Sequence, residues 1–530
     1  MVTEDQSEVI AFLSSRPAHG GAEVERVETH ASVVFLCGRH AFKLKRAVRY
    51  DYLDFSTVER RRQMCEAELQ LNRRTAPHIY EAVVPVTRDA DGALALDGDG
   101  KPIEWLLAMR RFDQEALFDR LAAKGALALD LMAPLAAAIA RLHAQAAPRP
   151  DHGGAAGMRW IVDGNAHGFA EEGADVLDRG RCQRLTDAAR AMTAHHAPLL
   201  DARRDRGLVR QCHGDLHLRN LVLLDDKPTL FDGIEFNDAL ACIDVHYDLA
   251  FLLMDLWHRG LRQHANAVLN AYLFETDDVD GLALLPLFLS CRAAVRAKTS
   301  ATATALDADP AHTASLIALS RRYLELAHHL LEPQGSVVVA IGGFSGSGKS
   351  TLARALAPLL GAAPGAVIVR SDEIRKRLHG AAPLDRLGDQ AYTPEVSGRV
   401  YASMRERVAA VAACGHAAIA DAVFDRETDR LAIEQHAART GRPFVGLWLD
   451  AADAVLLDRT ARRRGDVSDA DPSVVRQQLA HDPGAITWHR LAAGGSPAGV
   501  LAEAIDLLQR VCRINGSGQL QQEPTQEGGT

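Results

Sequence analysis

GGFSGSGKST, residues 342–351, is the stretch that decides the fold of the C-terminal half of this 530-residue chain. It satisfies the spacing G-x-x-x-x-G-K-[ST], which lets backbone N–H groups turn inward around a phosphate while the lysine adds a positive charge. The loop follows the β-branched run SVVVAI and precedes STLARAL, so we predict a strand, a phosphate-binding loop and a helix. The loop residues expected at the phosphates are Gly343, Ser345, Gly346, Ser347, Gly348, Lys349, Ser350 and Thr351, and the Ser350 hydroxyl is also a candidate Mg²⁺ ligand.

Strand and helix signals alternate after this loop. The candidate strands AVIVRS, AAIADAVF and FVGLWLD are each followed by a helical pattern, which predicts a parallel sheet covered on both faces. A Pro and a Gly in LEPQG, residues 331–335, indicate a linker before this region. We therefore predict an α/β P-loop NTPase domain over 336–512, followed by a disordered tail over 513–530 that lacks an apolar face.

Two carboxylates downstream of the loop suggest chemistry. Asp372 ends the run VIVRSD, where it could accept a proton from a substrate hydroxyl, and Arg375 one helical turn later could hold an anionic or polar group. Asp421 closes the run AAIA, where a carboxylate could hold Mg²⁺ or its water. The alternatives stay open: Asp372 could be only a helix N-cap, and Asp421 only a strand-end turn residue.

The segment DRTARRRGD places Arg459, Arg462 and Arg463 close together. Such a run is usually a solvated helix face, but a mobile Arg-rich segment can also close over a triphosphate. Together with the loop and the S-D-x-x-R element, it resembles the small-molecule and polynucleotide kinase branch of P-loop proteins, which includes gluconate kinases, zeta-toxin-like kinases and 5′-hydroxyl kinase modules. The resemblance covers about residues 335–512 and implies binding of ATP and Mg²⁺.

A second motif lies upstream, in CHGDLHLRNLVLLDDKPTLFDG. His213, Asp215 and Asn220 give H-x-D-x-x-x-x-N, and Asp232 follows a predicted hairpin. Phosphoryl transfer needs a carboxylate to orient or deprotonate the nucleophile, which suits Asp215, and oxygen ligands for Mg²⁺, which suit Asn220 and Asp232. Another interpretation is a zinc pair formed by His213 and His217 at i, i+4, but no third ligand presents itself.

This motif resembles the protein-kinase-like fold, and HGDLH resembles its aminoglycoside and choline kinase branch, over about residues 25–330. The resemblance implies a lysine on an early strand and a glutamate on the next helix. The candidates are Lys43 or Lys45 and Glu66 or Glu68, of which we choose Lys43 and Glu68. No G-x-G-x-x-G precedes Lys43, which is a departure from protein kinases. Asp248 either braces the catalytic loop or caps a helix. The expected fold is an α+β two-lobed kinase-like domain over 1–330, joined by the linker 331–335 to the P-loop domain.

Bulk properties narrow the function class. The formal net charge of -9 argues against a general nucleic-acid binder, although a local basic groove remains compatible with it. The N-terminus begins acidic and no run of about 18 uninterrupted apolar residues occurs, so we expect neither a signal peptide nor a membrane span. The eight cysteines form no C-x-x-C pair and read as reduced thiols of a cytoplasmic protein.

The sequence thus predicts a bifunctional ATP-dependent phosphotransferase with two ATP·Mg²⁺ sites and a small-molecule hydroxyl compound as acceptor. One rival is a regulatory NTPase whose kinase-like lobe is a binding module. Another is a nucleic-acid 5′-hydroxyl kinase that uses the C-terminal domain, which the acidic charge disfavours.

Overall fold

The computed structural model describes residues 2–50, 52–171, 173–305, 309–382, 384–462 and 467–512. The chain forms two compact units, one of Met1–His167 with Arg190–Asp255 and the other of Gly168–Ala189 with Leu256–Thr530. The predicted disordered tail over 513–530 lies outside the described residues.

The strands, in chain order, are β1 Val24–Glu28, β2 Ser32–Cys37, β3 His40–Lys45, β4 Arg49–Tyr50, β5 Leu53–Asp54, β6 Tyr80–Arg88, β7 Leu94–Leu96, β8 Lys101–Arg110, β9 Val209–Gln211, β10 Leu221–Leu224, β11 Lys227–Leu230, β12 Cys242–Asp244, β13 Val338–Gly342, β14 Val367–Arg370, β15 Ala418–Asp421, β16 Phe444–Asp450 and β17 His489–Ala492.

The α-helices, in chain order, are α1 Ser7–Leu13, α2 Val58–Asn72, α3 Phe118–Ala123, α4 Met132–Gln145, α5 Gly154–Glu171, α6 Arg179–His195, α7 Ala197–Asp205, α8 Asp238–Ala241, α9 Val245–His258, α10 Arg262–Thr276, α11 Leu285–Thr304, α12 Pro310–Leu331, α13 Lys349–Leu356, α14 Ser371–Leu378, α15 Pro394–Ala413, α16 Glu427–Arg439, α17 Asp453–Arg462, α18 Pro472–Leu479 and α19 Pro497–Cys512.

The first unit contains an antiparallel sheet in the order β1-β2-β3-β8-β6-β7. Its inner face buries apolar side chains such as Val33, Phe35 and Leu44. Helix α2 lies in the chain between the strands β1 to β3 and the strands β6 to β8 of this sheet. It begins after Thr57, whose hydroxyl accepts the Arg60 N–H. Lys43 lies on the early strand β3 and Glu68 on the next helix α2, as the resemblance implies.

An antiparallel hairpin of β10 and β11 follows the H-x-D-x-x-x-x-N segment. It was predicted from two apolar runs around DDKP, and the turn residues Asp225 and Asp226 adopt positive φ values of 48° and 58°. The hairpin returns the chain so that Asp232 follows it. It thereby connects the two halves of the candidate site in this unit.

The second unit contains a parallel sheet in the order β14-β15-β13-β16-β17. The central strand β13 is buried along its whole length, as expected when helices cover both faces. The predicted strands β13 to β16 are confirmed. Strand β17 was missed, because HRLA is short and only Leu491 of it is buried.

The edge strand β14 is covered by side chains from α10. Asn266 Nδ2 donates to the Ala366 carbonyl over 3.0 Å, and the Ile368 N–H donates to Asn270 Oδ1 over 2.7 Å. These contacts satisfy backbone groups that an exposed edge would leave unpaired. The helices after residue 256 therefore group with the parallel sheet, and the predicted domain limits at 330 and 336 stay a prediction.

A search of the described residues finds no helix with the length and apolar character that crossing a membrane requires.

Candidate active sites

The glycines of the loop between β13 and α13 have conformations that side chains resist. Gly343 has φ of +132°, and a Cβ there would lie 2.6 Å from the Leu449 carbonyl oxygen. Gly346 has φ of +87°, and its Cβ would lie 2.6 Å from the Leu456 carbonyl oxygen. Close approach to β16 and α17 therefore requires glycine at both positions and shapes the loop.

The same loop is already hydrogen-bonded to its surroundings. The Ser345 N–H donates to Gln478 Oε1 over 2.9 Å, and Lys349 Nζ donates to the Phe344 carbonyl over 3.1 Å. Gly348 precedes α13 with φ of +96°, so the helix N-terminus starts at the lysine. The buried Ser347 hydroxyl has no hydrogen-bond partner. The loop lies at the positive end of α13, which is a favourable place for an anion, although two of its donors are already hydrogen-bonded within the protein.

A cavity of about 900 Å³ opens beside this loop. The predicted residues Asp372, Arg375 and Asp421 line it, so the structure brings the predicted base, clamp and metal ligand to the loop. Two loop residues that were expected at the phosphates, Gly343 and Ser347, do not line the cavity. The loop residues that line it are Ser345, Gly346, Gly348, Lys349, Ser350 and Thr351.

Two carboxylates in the first turn of α14 hold protons more tightly than usual. Burial raises the pKa of Asp372, and the negative charge of Asp421 raises it further, while Arg370 opposes the shift. Burial also raises the pKa of Glu373 to about 7, against the effect of Arg370. A carboxylate with a raised pKa is a stronger base, which suits the predicted role of Asp372.

Arg375 is a buried arginine with an incomplete set of hydrogen bonds. Its guanidinium donates to the Ala391 carbonyl over 2.5 Å and lies 4.7 Å from the centre of the Tyr392 ring. Its Nε has no hydrogen-bond partner. Since Nε is itself buried, any contact of Arg375 with a group bound in the cavity would come from the part of the side chain that lines it.

Arg370 is a buried residue next to two cavity residues, Ser350 and Asp421, and sequence reasoning missed it. Its Nε donates to Asp421 Oδ2 over 3.2 Å, and its Nη2 donates to Ser350 Oγ over 3.1 Å. The available signal was a single arginine at the end of the apolar run AVIVRS, where a buried strand would otherwise continue apolar. The two predicted Mg²⁺ ligands therefore converge on one cationic group.

The predicted lid arginines lie elsewhere. Arg459 donates to the carbonyls of Ala493 and Gly495, and Arg462 is exposed and pairs with Asp458 one turn away. Arg463 lies outside the described residues. Neither described lid arginine lines the cavity. Within the described part of the chain, the Lys and Arg side chains that line the cavity are Lys349, Arg375, Arg386 and Arg426.

The cavity wall is also rich in carboxylates. Asp469 accepts hydrogen bonds from Lys376 Nζ over 2.8 Å and from the Tyr392 hydroxyl over 2.6 Å. Asp471 lies 3.6 Å from Arg386. Sequence reasoning did not single out this acidic wall, because its members are spread over many segments. The further aspartates that line the cavity are Asp389, Asp425, Asp429, Asp469 and Asp471.

In the first unit, the candidate site is an ion-pair network built around Glu68. Lys43 Nζ lies 2.7 Å from Glu68 Oε1 and 2.6 Å from Asp232 Oδ1. Lys45 Nζ lies 2.6 Å from Glu68 Oε2 and 2.5 Å from Glu235 Oε1. The structure thus brings together the predicted Lys43, Glu68 and Asp232. It also places the alternative lysine, Lys45, in the network, paired with Glu235, which sequence reasoning missed.

The network shifts the protonation equilibria of its members. Burial alone would lower the pKa of Lys43, but the Asp232 and Glu68 carboxylates outweigh burial and raise the pKa well above its usual range. Burial would raise the pKa of Glu68, but the two lysines lower it to about 2. Burial raises the pKa of Glu235, with Lys45 opposing. Two ammonium groups face three carboxylates, so a cation would balance the network.

Asp232 is the exposed member of the network. Its side chain is 44 % exposed, and its backbone has φ of +62°, a left-handed conformation that is uncommon for a residue other than glycine. Two side chains hold this turn: the Asp232 N–H donates to the Tyr80 hydroxyl over 2.9 Å, and the Gly233 N–H donates to Asn72 Oδ1 over 2.8 Å. The strained turn presents the carboxylate outward, as a metal ligand requires.

The catalytic-loop candidates are held by a buried aspartate. Asn220 Nδ2 donates to Asp215 Oδ2 over 3.0 Å, which fixes the predicted base relative to the predicted metal ligand. Asp248 accepts the His213 N–H over 3.1 Å and the Gly214 N–H over 2.8 Å. Of the two interpretations of Asp248, these contacts favour the brace.

The histidines of this segment have roles other than a zinc pair. His213 Nε2 lies 2.9 Å from the Phe231 carbonyl, and His217 Nε2 lies 3.3 Å from Asp215 Oδ2. Across the described ranges, the one group of three possible ligands is His143, Cys212 and Asp248. Neither His213 nor His217 belongs to that group, so the zinc pair has no support among the described residues.

The turn between β1 and β2 also differs from protein kinases, as the missing G-x-G-x-x-G indicates. This turn takes the place of a glycine-rich loop before Lys43, and it contains Thr29. Thr29 Oγ1 accepts the N–H groups of Ser32 over 2.9 Å and Ala31 over 3.3 Å. These donors are already used locally and are not directed at a phosphate.

Two known families match successive parts of the chain. Residues 54–285 match the model of a phosphotransferase enzyme family, and residues 338–482 match that of an AAA domain. The resemblance predicted from the two motifs is confirmed, as are the kinase-like and P-loop folds and the assignment of the chain to kinase-type enzymes. The match to the phosphotransferase family begins after Lys43, so the assignment of that lysine to the site rests on the geometry alone.

Relatives and solved structures are similar to the chain at low identity. Uncharacterized proteins of Mycobacterium tuberculosis and Mycobacterium bovis are 27 % identical over 480 residues, which is 88 % of this chain and 92 % of theirs. A choline/ethanolamine kinase family protein from Mesorhizobium loti is 14 % identical, with a TM-score of 0.39, and covers 62 % of this chain and 95 % of its own. A gluconokinase from Sinorhizobium meliloti is 24 % identical, with a TM-score of 0.25, and covers 34 % of this chain and 95 % of its own.

Proposed function

We propose that this chain is an ATP-dependent phosphotransferase with two separate ATP·Mg²⁺ sites, each transferring the γ-phosphate to a hydroxyl of a small molecule. The observation that carries the proposal is that Asp372 and Lys349 line one cavity, so a candidate base faces a phosphate-binding loop. We further propose domain limits of 1–330 and 336–512.

In the P-loop domain, the reaction is a displacement at the γ-phosphorus. Asp372 accepts the proton of the substrate hydroxyl as the new P–O bond forms, and the bond to the β,γ-bridging oxygen breaks to release ADP. Lys349 and the loop N–H groups stabilise charge on the phosphate oxygens. Arg375 orients the acceptor, because its side chain lines the same cavity as Asp372.

The donor set fits a magnesium ion. Ser350 and Asp421 both direct an oxygen at the Arg370 guanidinium, which stands in for a cation at that point. When bound by the Ser350 and Asp421 oxygens, Mg²⁺ would neutralise negative charge on the phosphates of the nucleotide. In the first unit, Asn220 and Asp232 are the corresponding candidates, supported by the uncompensated carboxylate of the Lys43–Glu68 network.

In the kinase-like domain, Asp215 is the proposed base and Lys43 the proposed phosphate contact. Asn220 fixes Asp215, and Glu68 holds Lys43 at the side chain of Asp232. The arrangement works by positioning and charge, which is the main task of a protein in phosphoryl transfer.

The acidic wall of the P-loop cavity narrows the acceptor class. Carboxylates outnumber lysine and arginine side chains along the lining of the described residues. ATP would be held there by the phosphate-binding loop and Mg²⁺, but these carboxylates would repel a second polyanion beside it. The acceptor we favour is therefore a neutral or cationic hydroxyl compound and not a nucleic acid.

The experiment is ATP consumption against a panel of hydroxyl compounds, with wild type, Asp215→Ala and Lys349→Ala. We expect each variant to lose turnover of a different set of compounds. If neither change alters turnover of any accepted compound, the two-site proposal fails. Loss with Lys349→Ala alone would assign the first domain a binding role, a result that the turn at Thr29 gives reason to look for.

A further inference from the structure

Arg370 occupies the point where the two predicted metal ligands of the P-loop domain meet. It ends β14, and in the sheet register it lies beside Asp421 at the end of β15. Its guanidinium donates to Asp421 Oδ2 over 3.2 Å and to Ser350 Oγ over 3.1 Å. The side chain is only 7 % exposed. A buried cation therefore binds the same two oxygens that a divalent ion would use.

A guanidinium and a divalent cation cannot use this point together. A buried charge needs a partner of opposite sign, and Asp421 supplies it to Arg370 while no metal is present. A second cation at the same oxygens would meet like-charge repulsion in a site largely shielded from water. Binding of one cation at Asp421 and Ser350 therefore requires the other to leave.

The structure provides a second partner for the displaced arginine. Glu373 Oε1 lies 3.5 Å from Arg370 Nη1, one helical turn further along, and is not one of the predicted metal ligands. A rotation of the guanidinium toward Glu373 would keep its charge paired while freeing Ser350 and Asp421.

We propose that Arg370 is a built-in counter-ion that fills the divalent-cation position of the nucleotide-free P-loop domain and competes with the metal for Asp421 and Ser350. The proposal rests on the proposed function only in that a metal–nucleotide complex is the ligand that displaces the arginine. It makes Arg370 a positioning residue that tunes metal affinity. The competing interpretation is a permanent ion pair that Asp421 needs in every state.

The test is Mn²⁺ binding to the full chain without nucleotide, measured by electron paramagnetic resonance of the free ion. Mn²⁺ is the probe because it accepts the oxygen ligands that suit Mg²⁺. We expect Arg370→Gln to bind Mn²⁺ about tenfold more tightly than wild type, because a competing unit charge a few ångströms away is removed. The matched control is Arg354→Gln, which removes one positive charge from an exposed position on α13 and should bind like wild type.

Asp421→Asn distinguishes Mn²⁺ bound at Asp421 and Ser350 from Mn²⁺ bound elsewhere in the chain, for example at Asp232. The gain of Arg370→Gln should vanish when Asp421→Asn is added to it. If Arg370→Gln binds Mn²⁺ no more tightly than Arg354→Gln, or if the gain survives Asp421→Asn, the proposal is overturned.

Folding is checked by circular dichroism, because the Gln variant leaves Asp421 without its ion-pair partner. If Arg370→Gln does not fold, Arg370→Met decides: it also removes the charge but keeps a long unbranched side chain at this buried position, so Mn²⁺ affinity should still rise above that of wild type, and an unchanged affinity refutes competition. Binding of a non-hydrolysable ATP analogue to wild type and Lys349→Ala is measured separately. If wild type binds no ATP analogue, the proposed function is refuted. The Mn²⁺ comparison still decides whether Arg370 competes with the metal.

Discussion

Lys45 Nζ lies 2.5 Å from Glu235 Oε1, and both side chains are almost completely buried. Lys43, two residues earlier on the same strand, instead reaches the half-exposed Asp232. The two lysines share Glu68 but face different surroundings, so they should differ in what their removal costs.

We expect Lys45→Met to destabilise the protein by about 3 kcal/mol, because Glu235 is left as an unpaired buried carboxylate. Lys43→Met should cost less stability, since Asp232 can be solvated and Glu68 keeps Lys45. It should instead weaken ATP binding at the first site. Urea unfolding and binding of a fluorescent ATP analogue measure the two effects. Equal losses of stability in both variants would contradict this division of roles.

Asp215 and Asp248 give a second matched pair. Asp215→Asn should lower transfer by the first domain by about 10²-fold or more while the fold is kept, because it removes only the proposed base. Asp248→Asn places an amide N–H against the backbone N–H groups of His213 or Gly214, so we expect a loss of stability of about 1–3 kcal/mol as well. Turnover and thermal unfolding of both variants provide the measurement. A stable, fully active Asp248→Asn protein would rule out the brace.

The sequence predicted those parts of the sites whose residues lie close together in the chain. The spacing around Lys349 and around Asp215 is dictated by a phosphate and by a catalytic loop, so a short motif carries the information. Periodicity likewise predicted β13 to β16, because buried parallel strands are continuous apolar runs.

The rest depends on contacts between distant segments. Tyr80 and Asn72 hold the Asp232 turn across more than 150 residues, and neither belongs to a motif. Arg370 is one letter in an apolar run, and its role depends on β14 and β15 lying side by side. Arg459 shows the opposite case: local charge density favoured a lid, but carbonyls at Ala493 and Gly495 hold its guanidinium.

Gly346→Ala tests the shape of the phosphate-binding loop. The added Cβ would lie 2.6 Å from the Leu456 carbonyl at a φ of +87°, so the loop must move away from α17. We expect ATP binding at the P-loop site to fall at least about tenfold, since misplaced donors lose their contacts with phosphate. Gly164→Ala is the control, because a Cβ there meets no atom within 4 Å and alanine favours the helix. Isothermal titration with an ATP analogue distinguishes the two; unchanged binding in Gly346→Ala would show that the loop tolerates displacement.

The raised pKa of Glu373 predicts that the stability of the protein depends on pH. Its folded pKa of about 7 lies above its ordinary value of 4.5, so the folded state holds the proton more tightly. The resulting stability is complete below pH 4.5 and is lost as the pH rises through 7. Glu373→Gln mimics the protonated form and should gain stability relative to wild type between pH 5 and pH 8. We expect a gain of about 2 kcal/mol, less than the full shift implies because the side chain is 28 % exposed. Guanidinium unfolding at both pH values measures it, and a pH-independent difference would contradict the shift.

Asp372 decides between a phosphotransferase and a nucleotide-driven switch. If it is the base, Asp372→Asn should lower phosphate transfer by about 10²-fold or more and leave ATP-analogue binding nearly unchanged. Burial and Asp421 raise the pKa of Asp372, and a base works only when deprotonated. The acid limb of kcat/KM in wild type should therefore lie at a higher pH than for an ordinary aspartate, with activity rising as the pH increases through that limb. Asp389→Asn, which removes another cavity carboxylate, should retain the limb. A switch has no use for a base at this position, so full nucleotide turnover in Asp372→Asn without any acceptor-dependent loss would favour the switch.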